Sequence, residues 1–260
     1  MSTFTKEHPQ IAKGVAILMM LYHHLYIIPE RINNNFFSLI DQVIPNAQST
    51  IAVFCKLCVC IYVFLSGYGL YHSLKKQKSL LSMYKNIVIR LIKFWTTFII
   101  IYLLFVPIGI ITGTFSVSWK HFVLGLFGFE LGFFNDTWWF VSAYIVLLFV
   151  SPLFVYFFSN KHWIKRFAVV LILPVVYIIG RVYISIFGSN LFIAVYFWYL
   201  ENMPLLLSLF VGVLCARFKI YEKLMLIFDK IKKIKTRKIV RITTMFLILL
   251  LSIILRIVTV

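Results

Sequence analysis

The chain has 260 residues, 62% of them hydrophobic, with mean hydropathy +0.96 and a formal net charge of +18. A soluble globular domain is nearer half apolar, so the composition excludes an ordinary soluble enzyme and points to an all-α polytopic transmembrane bundle. The positive charge does not indicate nucleic acid, because the basic residues sit in short loops between apolar runs, where the positive-inside rule places them.

The first predicted helix covers residues 11–29. No small-residue cleavage site follows it, so it reads as a retained helix rather than a secretory signal. Lys13 and His24 are eleven residues apart, close to three turns at 3.6 residues per turn, so they share a face roughly 16 Å apart along the axis. His23 is rotated by about 100° onto another face, which suits a packing role. Ionisable groups within a membrane helix turn toward protein or a watery cavity. Haem ligation is not expected, since His72 and His121 do not match His24 in depth.

The second helix is predicted over 50–73. Its Cys55, Cys58 and Cys60 read as structural thiols, with no arrangement for a tetrahedral metal site and nothing implying disulfides. Ser66-Gly67 and Gly69 favour close helix approach. The serine lacks the G-x-S-x-G elbow of a nucleophile.

A third helix, 86–112, opens as a basic amphipathic segment. Arg90 and Lys93 lie one turn apart near its start and suit phosphates or anionic lipid heads, or a plain interfacial anchor. The stretch 119–134 is apolar but short and dotted with glycine, so it is expected to be re-entrant or interfacial. Further helices are predicted at 138–158, 167–187, 194–216 and 241–260, for a total of about seven or eight. The basic stretch 219–238 carries apolar residues at helical spacing and is expected to lie on an anionic membrane surface. Loops rich in lysine and arginine alternate with poor ones, which places the N-terminus in the cytoplasm of a multi-pass cell-membrane protein. Glu130, Asp136 and Glu201 fall near the outer helix ends, where any of them suits an acceptor hydroxyl or the orientation of a histidine. Arg181 and Arg256, inside helices, are expected to snorkel or pair. No repeat or linker divides the chain, so residues 1–260 are expected to form one domain.

Taken together, these features resemble the integral membrane acyltransferase 3 family. That family's first helix carries a basic residue, ten residues and a histidine, here Lys13-x10-His24. Its second carries a phenylalanine-rich segment ending in Ser-Gly-aromatic, here Phe64-Leu-Ser-Gly-Tyr68. Its third opens with Arg-x-x-Arg, here Arg90-x-x-Lys93, which keeps charge but loses one bidentate fork. Trp139-Phe140-Val141 through Pro152-Leu153, and residues 202–217, are similar to two later motifs. The likeness covers roughly 8–217. The Trp-Ser-Leu-x-x-Glu pattern of one branch is lacking, and Tyr144 stands in place of its glutamate. Family members commonly carry about ten membrane helices, so the expectation is a short or C-terminally truncated member.

The resemblance implies an O-acyltransferase that moves an acyl group, most simply acetyl, from cytoplasmic acyl-CoA to a hydroxyl of a cell-surface or lipid-linked glycan. His24 would be the catalytic base, and Lys13, Arg90 and Lys93 the acyl-CoA-binding cations. Glu130, Asp136, Glu201 and Tyr144 are candidates to orient the base or hold the acceptor. No metal or bound cofactor is implied; acyl-CoA is a co-substrate. The implied partners are the bilayer, acyl-CoA and the glycan acceptor, with a homo-oligomer left open. A transporter or flippase is the alternative class, although no second copy of the Lys13–His24 pattern is present. An inactive truncated relative is a further alternative.

Overall fold

A computed structural model of the chain describes residues 5, 7–27, 41–42, 46–128, 131–159, 179, 182, 194–231, 233–244 and 247, with backbone only at 136 and 194–204. Among the described residues the regular structure is entirely helical. The helices are α1 (Glu7–Tyr26), α2 (Ala47–Cys55), α3 (Leu57–Leu74), α4 (Leu80–Ile111), α5 (Trp119–Leu126), α6 (Trp139–Ser159), α7 (Ala194–Phe218) and α8 (Ile220–Asp229). Residues 234–244 are also helical. Most of the predicted helices 167–187 and 241–260 lies outside the described residues.

Among the described residues three stretches are long and apolar enough to cross a membrane: Ala47–Leu74, Leu80–Ile111 and Trp139–Ser159. α1 is not among them, because Lys13, His23 and His24 dilute its apolar run. It nonetheless leaves Ile11, Val15, Leu18 and Leu21 exposed as an apolar stripe. α5 is only eight residues long, roughly 12 Å at 1.5 Å per residue, too short to cross a bilayer.

The chain divides into two compact units, residues 1–69 with 207–260 and residues 70–206. In the first unit α1 runs antiparallel to α2 and α3. His23 Nδ1 lies 2.7 Å from the Ala52 carbonyl oxygen, and the Tyr62 hydroxyl donates to the Lys13 carbonyl at 3.3 Å. α3 and the end of α7 approach through glycine. A Cβ added at Gly67 would overlap the Leu209 carbonyl oxygen, and one at Gly212 would overlap that of Phe64. Gly69, two residues on, faces open space.

The predicted helix 50–73 is interrupted at Lys56. The Lys56 N–H turns to the Val53 carbonyl at 3.2 Å, a three-residue step, and so leaves the Ala52 carbonyl without its usual helical donor. His23 supplies that donor, which requires the proton on Nδ1. Lys219, at φ 52, turns the chain sharply between α7 and α8. The Tyr221 hydroxyl at the start of α8 sits 3.1 Å from His8 Nε2. α8 carries Lys223, with Lys230 at its C-terminal cap, beside exposed Leu224 and Ile227, the amphipathic character expected of the basic stretch.

In the second unit, α4 starts at Leu80 rather than near residue 86. Ser79 accepts from the Ser82 N–H at 3.2 Å, and Ser82 Oγ receives the Ser79 N–H at 3.4 Å, a reciprocal cap. Its core is aromatic: Phe98, Tyr102, Val106, Leu131 and Phe134 are buried together. Tyr102 is fully buried, and its hydroxyl donates to the carbonyl of Phe122 at 3.0 Å. The turn after α5 uses Gly128 at φ +80, a conformation that glycine adopts without strain. Ser142 of α6 closes that turn by donating to the Gly128 carbonyl at 2.8 Å.

Candidate functional site

Lys13 and His24 lie on the continuous helix α1, and both side chains are exposed. Their shared face follows from unbroken helical phase over residues 7–26. His23 is half-buried on the face toward α2, with its ring centroid 5.2 Å from that of His24. The adjacent histidines thus have different surroundings: His23 completes a helix break, while His24 stays on the exposed side.

Arg90 and Lys93 are exposed near the start of α4, in the other unit. The Arg90 guanidinium is held at two points. Nε donates to Asn86 Oδ1 at 2.9 Å, and Nη2 donates to Ser73 Oγ at 2.8 Å. Two neutral acceptors orient the fork without neutralising it, so the full positive charge remains for an anion. Lys93 follows one turn later as a point charge. Tyr144, on α6, packs its ring 5.0 Å from Phe94 and 5.6 Å from Phe140.

Of the acidic candidates, Glu130 falls outside the described residues, as do Arg181 and Arg256. Asp136 begins a short 3-10 turn, Asp136–Trp138, and Glu201 lies within α7; only their backbone is described. Cys55 and Cys58 are buried and Cys60 half-buried. Among the described residues no three metal-ligating side chains cluster.

Sequence reasoning missed two residues beside Arg90. Asn86 precedes it by four positions, a helical spacing that does mark a neighbour. Ser73 is 17 residues away, and no local pattern reveals it.

Apolar helices of membrane-spanning length, with exposed cations and a histidine carried on helix faces, define an all-helical membrane protein. A model described as an acyltransferase domain matches residues 9–258, and the chain belongs to the acyltransferase 3 family. Acyl transfer is the reaction class that this membership carries. No curated protein and no solved structure matches the chain.

Proposed function

We propose that this protein is a membrane O-acyltransferase that moves an acyl group, most simply acetyl, from cytoplasmic acyl-CoA to a hydroxyl of a cell-surface or lipid-linked glycan. The observation that carries the reading is the family match over residues 9–258, which takes in all the candidate residues. With the N-terminus cytoplasmic, Lys13, Arg90 and Lys93 face the compartment that holds acyl-CoA, a polyanion. The oriented guanidinium of Arg90 suits one phosphate of that donor.

In this mechanism His24 takes the proton from the acceptor hydroxyl. The oxygen attacks the thioester carbonyl, the bond from carbonyl carbon to sulfur breaks, and the CoA thiolate leaves. The proton on His24 then returns to the thiolate. His24 suits proton transfer because histidine is the side chain most often used as a general base.

The test is to express the full chain in cells and follow radiolabelled acetyl groups from acetyl-CoA into extracytoplasmic glycan. His24→Ala, at unchanged protein level, should lower labelling by about 10²–10⁴-fold, the range for loss of a general base. Full labelling by that variant rules out His24 as the base. Absence of labelling by the parent chain, across acceptors and acyl donors, removes the proposed reaction.

A further inference from the structure

The second unit contains a cleft of about 390 Å³ beside the last turns of α4, within the roughly 300–1,000 Å³ range of small-molecule sites. Its composition changes along its length. One side is the apolar stripe Ile101, Phe105 and Ile108, spaced along one face of α4 and 42–53% exposed, so the cleft opens along the outside of the helix. Beyond the helix end the lining turns polar, with Thr112, Thr114 and Asn135 beside the indole of Trp138.

These polar groups retain bonding capacity. The Thr112 hydroxyl donates to the Gly109 carbonyl at 3.2 Å and lies 3.0 Å from the Thr114 hydroxyl, and the two hydroxyls together hold more lone pairs than these contacts use. Asn135 spends its Oδ1 on Thr137, accepting from its N–H at 2.9 Å and its hydroxyl at 2.6 Å. Its amide N–H groups, and the indole N–H of Trp138, have no acceptor among the described residues. An indole beside hydroxyls and amide donors is chemistry suited to a sugar, whose C–H face packs on an aromatic ring while its hydroxyls bond at the edge.

The helix length sets limits on where this change falls. α4 has 32 residues, roughly 48 Å at 1.5 Å per residue, against a hydrocarbon core of about 30 Å. With α4 crossing the bilayer, its last turn stands at headgroup level while Ile101 and Phe105 lie beside acyl chains.

We propose that this cleft binds an amphipathic, lipid-linked sugar, with the sugar at Thr112, Thr114, Asn135 and Trp138 and the hydrocarbon chain along Ile101, Phe105 and Ile108. Only the naming of this sugar as the acyl acceptor rests on the acyltransferase reading; binding itself does not.

The experiment uses the full chain in nanodiscs of zwitterionic phospholipid, with farnesyl glucoside as probe and farnesol and methyl glucoside as its two halves. Farnesyl glucoside should bind at least about tenfold more tightly than either half, since each half lacks one set of contacts. The double variant Thr112→Val with Thr114→Val removes both hydroxyls of that contact, and the Gly109 carbonyl, which Thr112 also bonds, keeps the backbone N–H groups of Thr114 and Phe115. It should weaken the glucoside about tenfold and leave farnesol unchanged. Phe105→Asn, on the chain side, should weaken both. Farnesol binding as tightly as its glucoside marks a groove for bilayer lipid only and overturns the proposal, as does glucoside binding untouched by the threonine pair in protein that melts like the parent. Acetyl transfer is assayed on the same samples. Glucoside binding without transfer removes this sugar as the acyl acceptor and keeps the cleft, whereas transfer without glucoside binding keeps the acyltransferase reading and removes the cleft.

Discussion

The two compact units close their helices by opposite means. The first brings backbones together: Gly67 and Gly212 let α3 and α7 approach until each carbonyl fills the place of a side chain. The second keeps helices apart and fills the gap with rings, Phe98, Tyr102, Phe134 and Trp138 lying 5.6–6.0 Å between centroids in successive pairs. Membrane helices gain little from excluding water, so both means work through contact and hydrogen bonding. They differ in tolerance. A backbone lock has no flexible atom to move, while an aromatic cluster loses one group at a time. They also leave different surroundings for chemistry. The first unit carries Lys13 and His24 outward on a helix face, and the second leaves a cleft beside its rings.

The largest effect should therefore follow from one added methyl in the first unit. Gly212→Ala places a Cβ against the Phe64 carbonyl oxygen, which belongs to a helix and cannot rotate away. A cost of about 3 kcal/mol or more is expected, the upper range for overpacking. Gly67→Ala should behave alike, and Gly69→Ala, facing open space, should be neutral or slightly stabilising. Melting of the detergent-solubilised protein measures all three. If Gly212→Ala melts with Gly69→Ala, the lock does not exist.

Next is His23→Ala. It strips the donor from the Ala52 carbonyl at the Lys56 break, at a cost of about 1–3 kcal/mol for an orphaned polar group. Its mark should be thermal, whereas His24→Ala should be marked by lost transfer at nearly unchanged melting temperature. Equal melting shifts in the two variants would erase the distinction between the adjacent histidines.

The ring cluster should yield less. Tyr102→Phe keeps every ring contact and removes only the hydroxyl that donates to the Phe122 carbonyl, so about 1 kcal/mol is expected. A loss as large as that of Gly212→Ala would mean that the second unit, too, depends on a single contact.

The contrast was partly legible in the sequence. The shared face of Lys13 and His24 follows from helical phase alone, because nothing interrupts residues 7–26. The helix break at Lys56 was not legible. The break falls at one lysine within an otherwise apolar run that carries neither glycine nor proline there, and the histidine that completes it lies 29 residues before Ala52. The early start of α4 was hidden for a smaller reason: Ser79 pairs with Ser82, a serine where a capping box commonly shows glutamate or glutamine. Gly67 and Gly69 look alike in sequence, and only the position of α7 separates them. The rings around Tyr102 are a few among 27 phenylalanines and 14 tyrosines, too common in an apolar chain for composition to single out those that meet.

The smallest effect concerns Asn86, which touches no substrate in the proposed reaction and acts through Arg90. Asn86→Ala removes one of the two acceptors that hold the guanidinium and leaves Ser73 in place. Arg90 keeps its charge and one anchor, so its fork should wander without being lost. Losing one hydrogen bond on an exposed side chain is worth about 0.5–1 kcal/mol, or roughly a two- to fivefold rise in the KM for acyl-CoA. The kcat should hold, because the acyl carbon and His24 are untouched. Asn86→Asp supplies a charged acceptor that grips Arg90 harder but offsets its charge, so it should also raise KM while restoring the geometry. A purely structural role for Asn86 predicts a different pattern: lower melting in the alanine variant, recovery by aspartate and no change in KM. Steady-state kinetics against acyl-CoA for both variants separates the two.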